Sequence, residues 1–219
     1  MLYNPKLQNN NREEVIEFIK KKKSEGQFTV VDVGGAVNGW SGPYVDSIID
    51  ISPIKDNSSN INVFNCDITH PDSWKEILEY VEKNGKFDFS ICTHTLEDII
   101  NPGFVCEQIS KISKEGYIAV PSKYVEMSKF EGPYRGYIHH RWIFVIRDGK
   151  FIGYPKLNCL EYFNFEKPVE QMMHLNDISF FWKDEVKVLY LNNNYMGPSV
   201  THVVEYFKTL FDKDDYDLA

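Results

Sequence analysis

The stretch "FTVVDVGGAVNGWSG", residues 28–42, couples an apolar strand to a glycine turn, and its reading decides the fold. A nearly all-apolar run such as "FTVVDV" is what a strand carries when both faces of a parallel sheet are covered. The glycines that follow permit a tight turn and let a ligand approach the backbone closely. The loop lacks the full G-x-G-x-x-G spacing of a dinucleotide cradle, so residues elsewhere must say what it holds.

Upstream, "NREEVIEFIKKKKSEG" predicts a helix with Asn11 as N-cap and Glu14 three residues on. Val15, Phe18 and Ile19 lie on one face, and the helix stops at Gly26. Lys20 to Lys23 suit the carbonyl end of that helix better than a nucleic-acid patch. Downstream, "VDSIIDIS" and "INVFNCDI" read as second and third strands ending at Asp50 and near Asp67. "PDSWKEILEYVEKNG" keeps Trp74, Ile77, Leu78 and Val81 at helical spacing up to Gly85. "FDFSICTH" is a fourth strand, "NPGFVCEQISKISKEG" a helix with Pro102 in its first turn and Gly116 at its exit, and "YIAVPS" a fifth strand. Strands alternating with helices imply right-handed crossovers and an α/β, doubly wound, mostly parallel sheet, with ligands beyond the carboxyl ends of the strands.

After Pro121 the rhythm changes. "SKYVEMSKFEGPYRGYIHH" is a polar, aromatic loop, and the apolar runs around Asp148-Gly149 signal a hairpin. "ISFFWKDEVKVLYL" reads as another antiparallel pair, "SVTHVVEYFKTLF" as a closing helix capped by Ser199, and residues 212–219 as a frayed acidic tail. With 219 residues and 42% hydrophobic content the chain suits a single domain over 1–219. Its core spans about 11–122, with an insertion and C-terminal additions over about 123–211.

The formal net charge of −8 argues against sequence-independent nucleic-acid binding. Cys66, Cys92, Cys106 and Cys159 are widely spaced and read as reduced thiols, and no apolar run is long enough to span a bilayer. The start "MLYNPKLQNNN" has no signal-peptide pattern, so a cytoplasmic location and no membrane partner are expected.

Asp32, Gly34, Gly35, Asp50, Asp67 and the segment His94 to Asp98 all fall at strand ends and are expected on one rim. So many acids would repel a bare phosphate, and they suit a cationic ligand rich in hydroxyls. Each acid also has a local reading: Asp50 as a turn cap, Asp67 as a helix cap, Glu97-Asp98 as a solvated helix start.

"VVDVGGAVNG", "IIDIS", "NCDI", "FDFSICTHTLEDIINP" and "ISKISKEGYIAVPS" resemble, in order and spacing, the motif series of class I S-adenosylmethionine-dependent methyltransferases over about Phe28 to Ser122. The resemblance implies a Rossmann-like methyltransferase fold with C-terminal antiparallel hairpin additions, and S-adenosyl-L-methionine as cofactor. Asp32, Gly34 and Gly35 would lie under its methionine part. Asp50 would hold the ribose hydroxyls, Asp67 the adenine edge, and Thr93 to Leu96, His94 included, the floor beside the sulfonium. The chain departs from the family at Ala36, where a third glycine is usual. It departs again at Trp40, Gly42 and Pro43, which leave room for only a short or irregular helix.

The implied activity is methyl transfer to a small-molecule acceptor, such as an oxygen of a sugar or metabolite. His94, His139 and His140 are the candidate catalytic residues, with Glu126 and Asp98 behind them. Glu126, Arg135, Tyr137 and Arg141 are candidates for acceptor binding, the arginines either clamping an acidic acceptor or pairing with Glu126 and Glu131. Tyr124, Tyr134 and Trp142 could wall the acceptor. His94 with the His139-His140 pair could bind a metal, but no recognisable ligand spacing supports this and no metal is expected. Two other classes compete: a non-catalytic scaffold on the same fold, and a nicotinamide-dependent oxidoreductase or epimerase. The latter is disfavoured by the missing G-x-G-x-x-G and Tyr-x-x-x-Lys.

Overall fold

A computed structural model of the chain describes residues 1–8, 12–52, 60–130, 132–162, 175–190 and 199–211. Asn11, Glu131 and the 212–219 tail lie outside the described residues. In chain order the strands and helices begin with β1 (Leu2–Gln8), α1 (Arg12–Glu25), β2 (Val30–Val33), β3 (Ser47–Asp50) and β4 (Asn62–Asn65). They continue with α2 (Lys75–Asn84), β5 (Phe87–Thr93), α3 (Pro102–Ile112), β6 (Ser113–Pro121) and α4 (Lys123–Met127). The last are β7 (Trp142–Arg147), β8 (Lys150–Pro155), β9 (Asp177–Lys183), β10 (Val188–Tyr190) and α5 (Val200–Lys208).

Seven strands form the main sheet in the order β1-β9-β6-β5-β2-β3-β4. The five from β6 to β4 pair in parallel, and β9 runs antiparallel to both β6 and β1. The doubly wound, mostly parallel arrangement expected from the alternation is therefore present, with an antiparallel strand inserted. Side chains alternate across it: Val30, Ile48, Phe89 and Ile91 pack with Val15 and Ile19 of α1. Val31, Val33 and Ile49 pack with Trp74, Ile77, Val105 and Ile109 on the other face. Each fully buried isoleucine or phenylalanine here contributes about 1.5–3 kcal/mol relative to exposure, which explains why the central strands read as continuous apolar runs. Between β2 and β3 only a 3-10 turn, Gly42–Tyr44, forms, as the Pro43 interval suggested.

Three expectations are corrected, and one strand is added. The helix over 101–116 ends at Ile112, and Gly116 lies inside β6, where a Cβ would collide with Ser90 and Trp182. "ISFFWKDEVKVLYL" is not a pair: β9 enters the main sheet between β6 and β1, whereas β10 joins β8 in a second sheet. Leu2–Gln8 is a strand that no pattern announced, polar along most of its length and bulged between Tyr3 and Lys6. Glu97-Asp98 is a turn, not a helix start, and Glu97 is buried.

The second sheet, β10-β8-β7, contains the expected hairpin, with Asp148 (φ 51°) and Gly149 (φ 67°) both left-handed at its turn. One side of it packs on the main core through Phe144, Ile146 and Phe151. The other carries Ile143, Val145, Ile152 and Tyr154 against Phe207 and Leu210, at and just beyond the end of α5. Ser199 caps α5 by accepting from the His202 backbone N–H. Among the described residues no helix is long and apolar enough to cross a membrane.

Candidate active site

The chain leaves β2 toward β3 and β4 on one side, while β5 leads to β6 on the other, so the strand order reverses between β2 and β5. In open sheets of this kind a ligand crevice forms beyond the carboxyl ends at such a point. The residues that follow β2 and β5 build it.

At the end of β2, Gly34 adopts φ +79° and its N–H donates to Ile49 O at 2.8 Å. A side chain there would be driven into Thr95, and one on Gly35 into the carboxylate of Asp32. The two glycines thus let the β2 loop and the Thr93–Thr95 turn close on each other, with Thr95 Oγ1 donating to Thr93 O at 3.1 Å. Asp32 is buried beneath the loop and accepts from Ser41 Oγ. Burial raises its carboxyl to about 6, with the Ser41 hydrogen bond opposing and the Asp50 charge adding to the rise.

Beyond the loop lies a cavity of about 290 Å³ whose wall includes Gly34, Asp50, Asp67, Thr95, His94 and Asp98. Asp50 accepts from the Ser52 N–H at 2.8 Å, and Asp67 from the N–H and hydroxyl of Thr69 at 3.0 and 2.6 Å. Both acids therefore perform the local turn duty open to them as well as facing the cavity. The Thr69 hydrogen bonds hold the Asp67 carboxyl below its ordinary range. Ile51, Ile68 and Ile99 supply apolar wall, and Ile51 is 62% exposed although it sits beside Asp50.

His94 and Asp98 also line a second, adjoining cavity of about 600 Å³, together with Glu97, Phe130, Tyr137, His139, His140 and Asp177. His94 is held at φ 51°, a left-handed conformation uncommon for a residue other than glycine and concentrated at functional sites. Its Nδ1 lies 3.4 Å from Glu97 Oε1 and its Nε2 3.6 Å from Asp177 Oδ1. Burial would lower its pKa, but the hydrogen bonds and charges of Asp177 and Glu97 outweigh this and raise it to about 10. Burial in turn raises the Glu97 carboxyl, with His94 opposing. Glu97 Oε2 is buried and has no hydrogen-bond partner among the described residues.

On the opposite wall, His140 Nδ1 meets Glu126 Oε1 at 2.5 Å, and Lys156 Nζ donates to Glu126 Oε2 at 2.6 Å and to Tyr137 O at 2.7 Å. Glu126 is wholly buried and stands behind the histidine, not at the cavity surface. His140 Nε2 and His139 Nε2 lie 3.5 and 3.8 Å from Asp98 Oδ1.

The crevice thus brings together Gly34, Asp50, Asp67, His94, Tyr137, His139 and His140. Thr93, Gly35 and Asp32 support it from outside the cavity walls. The arginines lie elsewhere. Arg135 Nε and one terminal nitrogen donate to Leu160 O and Met127 O, and the residue lines a separate groove of about 420 Å³. Arg141 is exposed, and its backbone N–H donates to Glu97 O. Thr95, inside the Thr93–Leu96 stretch singled out in the sequence, lines the smaller cavity. Sequence reasoning missed Asp177 and Lys156, which reach the site through tertiary contacts alone.

No family model and no curated protein matches the sequence. Among solved structures, the chain is similar to the N-terminal domain of EvdMO1 in the presence of SAH and D-fucose, at 10% identity. That likeness covers 80% of this chain and 84% of that one, with a TM-score of 0.39. It is similar to the plantazolicin methyltransferase BpumL in complex with SAH, at 12% identity over 79% and 82% of the two chains and a TM-score of 0.42. It is also similar to an S-adenosylmethionine-dependent methyltransferase from Mesorhizobium loti, at 9% identity over 85% and 74% and a TM-score of 0.36. At such identities the activity of this chain has to be argued from the site itself.

Proposed function

We propose that this protein is an S-adenosylmethionine-dependent methyltransferase that modifies a hydroxyl of a small molecule. One observation carries the reading. Two cavities meet at His94 and Asp98 beyond the switch point of the sheet, one walled by acids and isoleucines, the other by histidines and aromatic rings.

The residues of the smaller cavity fit the cofactor. Asp50 presents a carboxylate suited to a ribose diol, and Asp67 one suited to an adenine amino group. The exposed Ile51, with Ile68 and Ile99, offers apolar surface for a planar base. The carboxylates of Asp50, Asp67 and Asp98 favour a sulfonium and an ammonium group and oppose the pyrophosphate of a nicotinamide cofactor. When bound, S-adenosylmethionine supplies an electrophilic methyl group.

In the larger cavity the chain's own groups divide the work. His94, kept protonated by Asp177 and Glu97, donates hydrogen bonds at the junction and is no proton acceptor near neutral pH. Asp98, His139 and His140 form the wall that orients an acceptor hydroxyl and draws off its proton. Phe130 and Tyr137, whose ring centroids are 5.0 Å apart, give a sugar or similar ring an aromatic surface to lie against. Holding donor and acceptor in line lowers the barrier by replacing a bimolecular encounter with a positioned one.

The reading is tested by incubating the protein with methyl-labelled S-adenosylmethionine and a panel of sugar and metabolite hydroxyls. Label transfer that is lost in Asp98→Asn supports it. Cofactor binding without transfer to any acceptor would favour a scaffold.

A further inference from the structure

We propose that Asp98, His139 and His140 bind a divalent first-row transition metal ion at the wall of the larger cavity. The site itself rests on these side chains, and only the ion's use toward an acceptor rests on the methyl-transfer reading.

One ligand atom from each of the three residues lies within 4.8 Å of the others. Metal–nitrogen and metal–oxygen bonds of about 2.0–2.2 Å in a tetrahedral site set neighbouring ligand atoms roughly 3.3–3.6 Å apart. The His140–Asp98 separation of 3.5 Å already falls in that range, and the His139–Asp98 separation of 3.8 Å is a small side-chain adjustment away.

The orientation of His140 is the stronger argument. Its Nδ1 is committed to the buried Glu126, whose second oxygen is held by Lys156, so Nε2 is the nitrogen turned toward Asp98. Metal-bound histidines commonly have their second nitrogen fixed by a carboxylate in this way, which sets the ring's orientation and increases its basicity as a ligand. Ring packing of His140 against Tyr137 and His139, at 4.8 and 4.5 Å between centroids, restrains it further. His94 does not join the set, because both its nitrogens face Glu97 and Asp177.

Two imidazoles and one carboxylate suit zinc, cobalt, iron or manganese better than magnesium or calcium, which prefer all-oxygen shells. Three protein ligands leave a further coordination position, the arrangement of a catalytic and not a structural site. Asp98 and His139 are exposed on the cavity side, so that position opens toward the space assigned to the acceptor.

The test is calorimetric titration of the full-length protein with zinc ion, repeated with cobalt ion while visible absorption is recorded. The expected result is one saturable site per chain, with affinity reduced at least tenfold in both Asp98→Asn and His139→Ala. These two residues are exposed, so both variants should fold, which circular dichroism checks. Glu126→Gln should weaken binding about 10–100-fold through loss of the support to His140. No binding by the unaltered protein would overturn the proposal, as would an affinity indifferent to Asp98→Asn and His139→Ala. S-adenosylmethionine binding measured on the same samples separates the two readings. Cofactor binding without a metal site overturns only this inference.

Discussion

His94 Nε2 lies 3.6 Å from Asp177 Oδ1, so the end of β5 is tied to the start of β9 across the intervening β6. A strand carrying the junction of the two cavities is thereby anchored to the antiparallel insertion in the sheet. With Glu97 on its other nitrogen, His94 remains a cation through neutral pH. A histidine raised from 6.5 to about 10 on folding stabilises the fold fully below pH 6.5, and that contribution is lost as pH rises toward 10. The His94 ring resonance is therefore expected not to titrate between pH 6 and 8 by NMR, whereas Asp177→Asn should bring its midpoint down markedly. A wild-type midpoint near 6.5 would contradict the arrangement.

Asp32 makes the opposite prediction. Its carboxyl is raised from 3.8 to about 6 by burial, so ionising it disfavours the fold, and stability is lost relative to the protonated form as pH climbs from 4 to 6. A rise from 3.8 to about 6 corresponds to about 3 kcal/mol at most. The stability of wild type relative to Asp32→Asn should fall by on the order of 2 kcal/mol between pH 4 and pH 6.5, measured by urea unfolding. A flat difference across that window would show that Asp32 is already ionised or solvated.

Gly34→Ala should destabilise through two separate effects. A left-handed backbone disfavours alanine by about 1–2 kcal/mol, and the new methyl strikes Thr95. Removing the struck atoms in Gly34→Ala/Thr95→Ala should recover part of the loss but not the backbone share, as read from denaturant midpoints. Full recovery would mean that the conformation of Gly34 is not constrained.

Gly116→Ala is expected to be among the most damaging single-methyl changes in the chain. The added Cβ would meet Ser90 and the Trp182 indole, where β5, β6 and β9 run side by side. Overpacking of this kind typically costs about 1–3 kcal/mol, and thermal unfolding of the variant checks it.

The same glycine shows where sequence reading stops. Ile109 and Ile112 extend the helical spacing of α3 up to a glycine, which looks like a helix exit, yet no turn separates α3 from β6. The helix yields to the sheet because residues 113–121 gain partners on both sides, a tertiary effect that local pattern does not carry. The parallel strands β2, β3, β5 and β6 were legible because burial on both faces demands apolar runs, whereas β4, at the sheet edge, buries only Phe64 and was read from the short run that closes near Asp67. β1 was not: as an edge strand it buries only Leu7, and Pro5 and the bulge at Asn4 obscure any alternation. In the crevice, Gly34, Asp50 and Asp67 were legible because they close strands. Glu97 and Lys156, by contrast, look like ordinary surface charges until the fold places one against His94 and the other against Glu126.

The central claim is that the smaller cavity receives S-adenosylmethionine. Its most direct test is isothermal titration of the purified protein with S-adenosylmethionine and S-adenosylhomocysteine, in parallel with Asp50→Ala. The account predicts saturable binding of both at one site per chain, weakened at least tenfold by the substitution. Absence of binding to either compound, or affinity unchanged in Asp50→Ala, would contradict it.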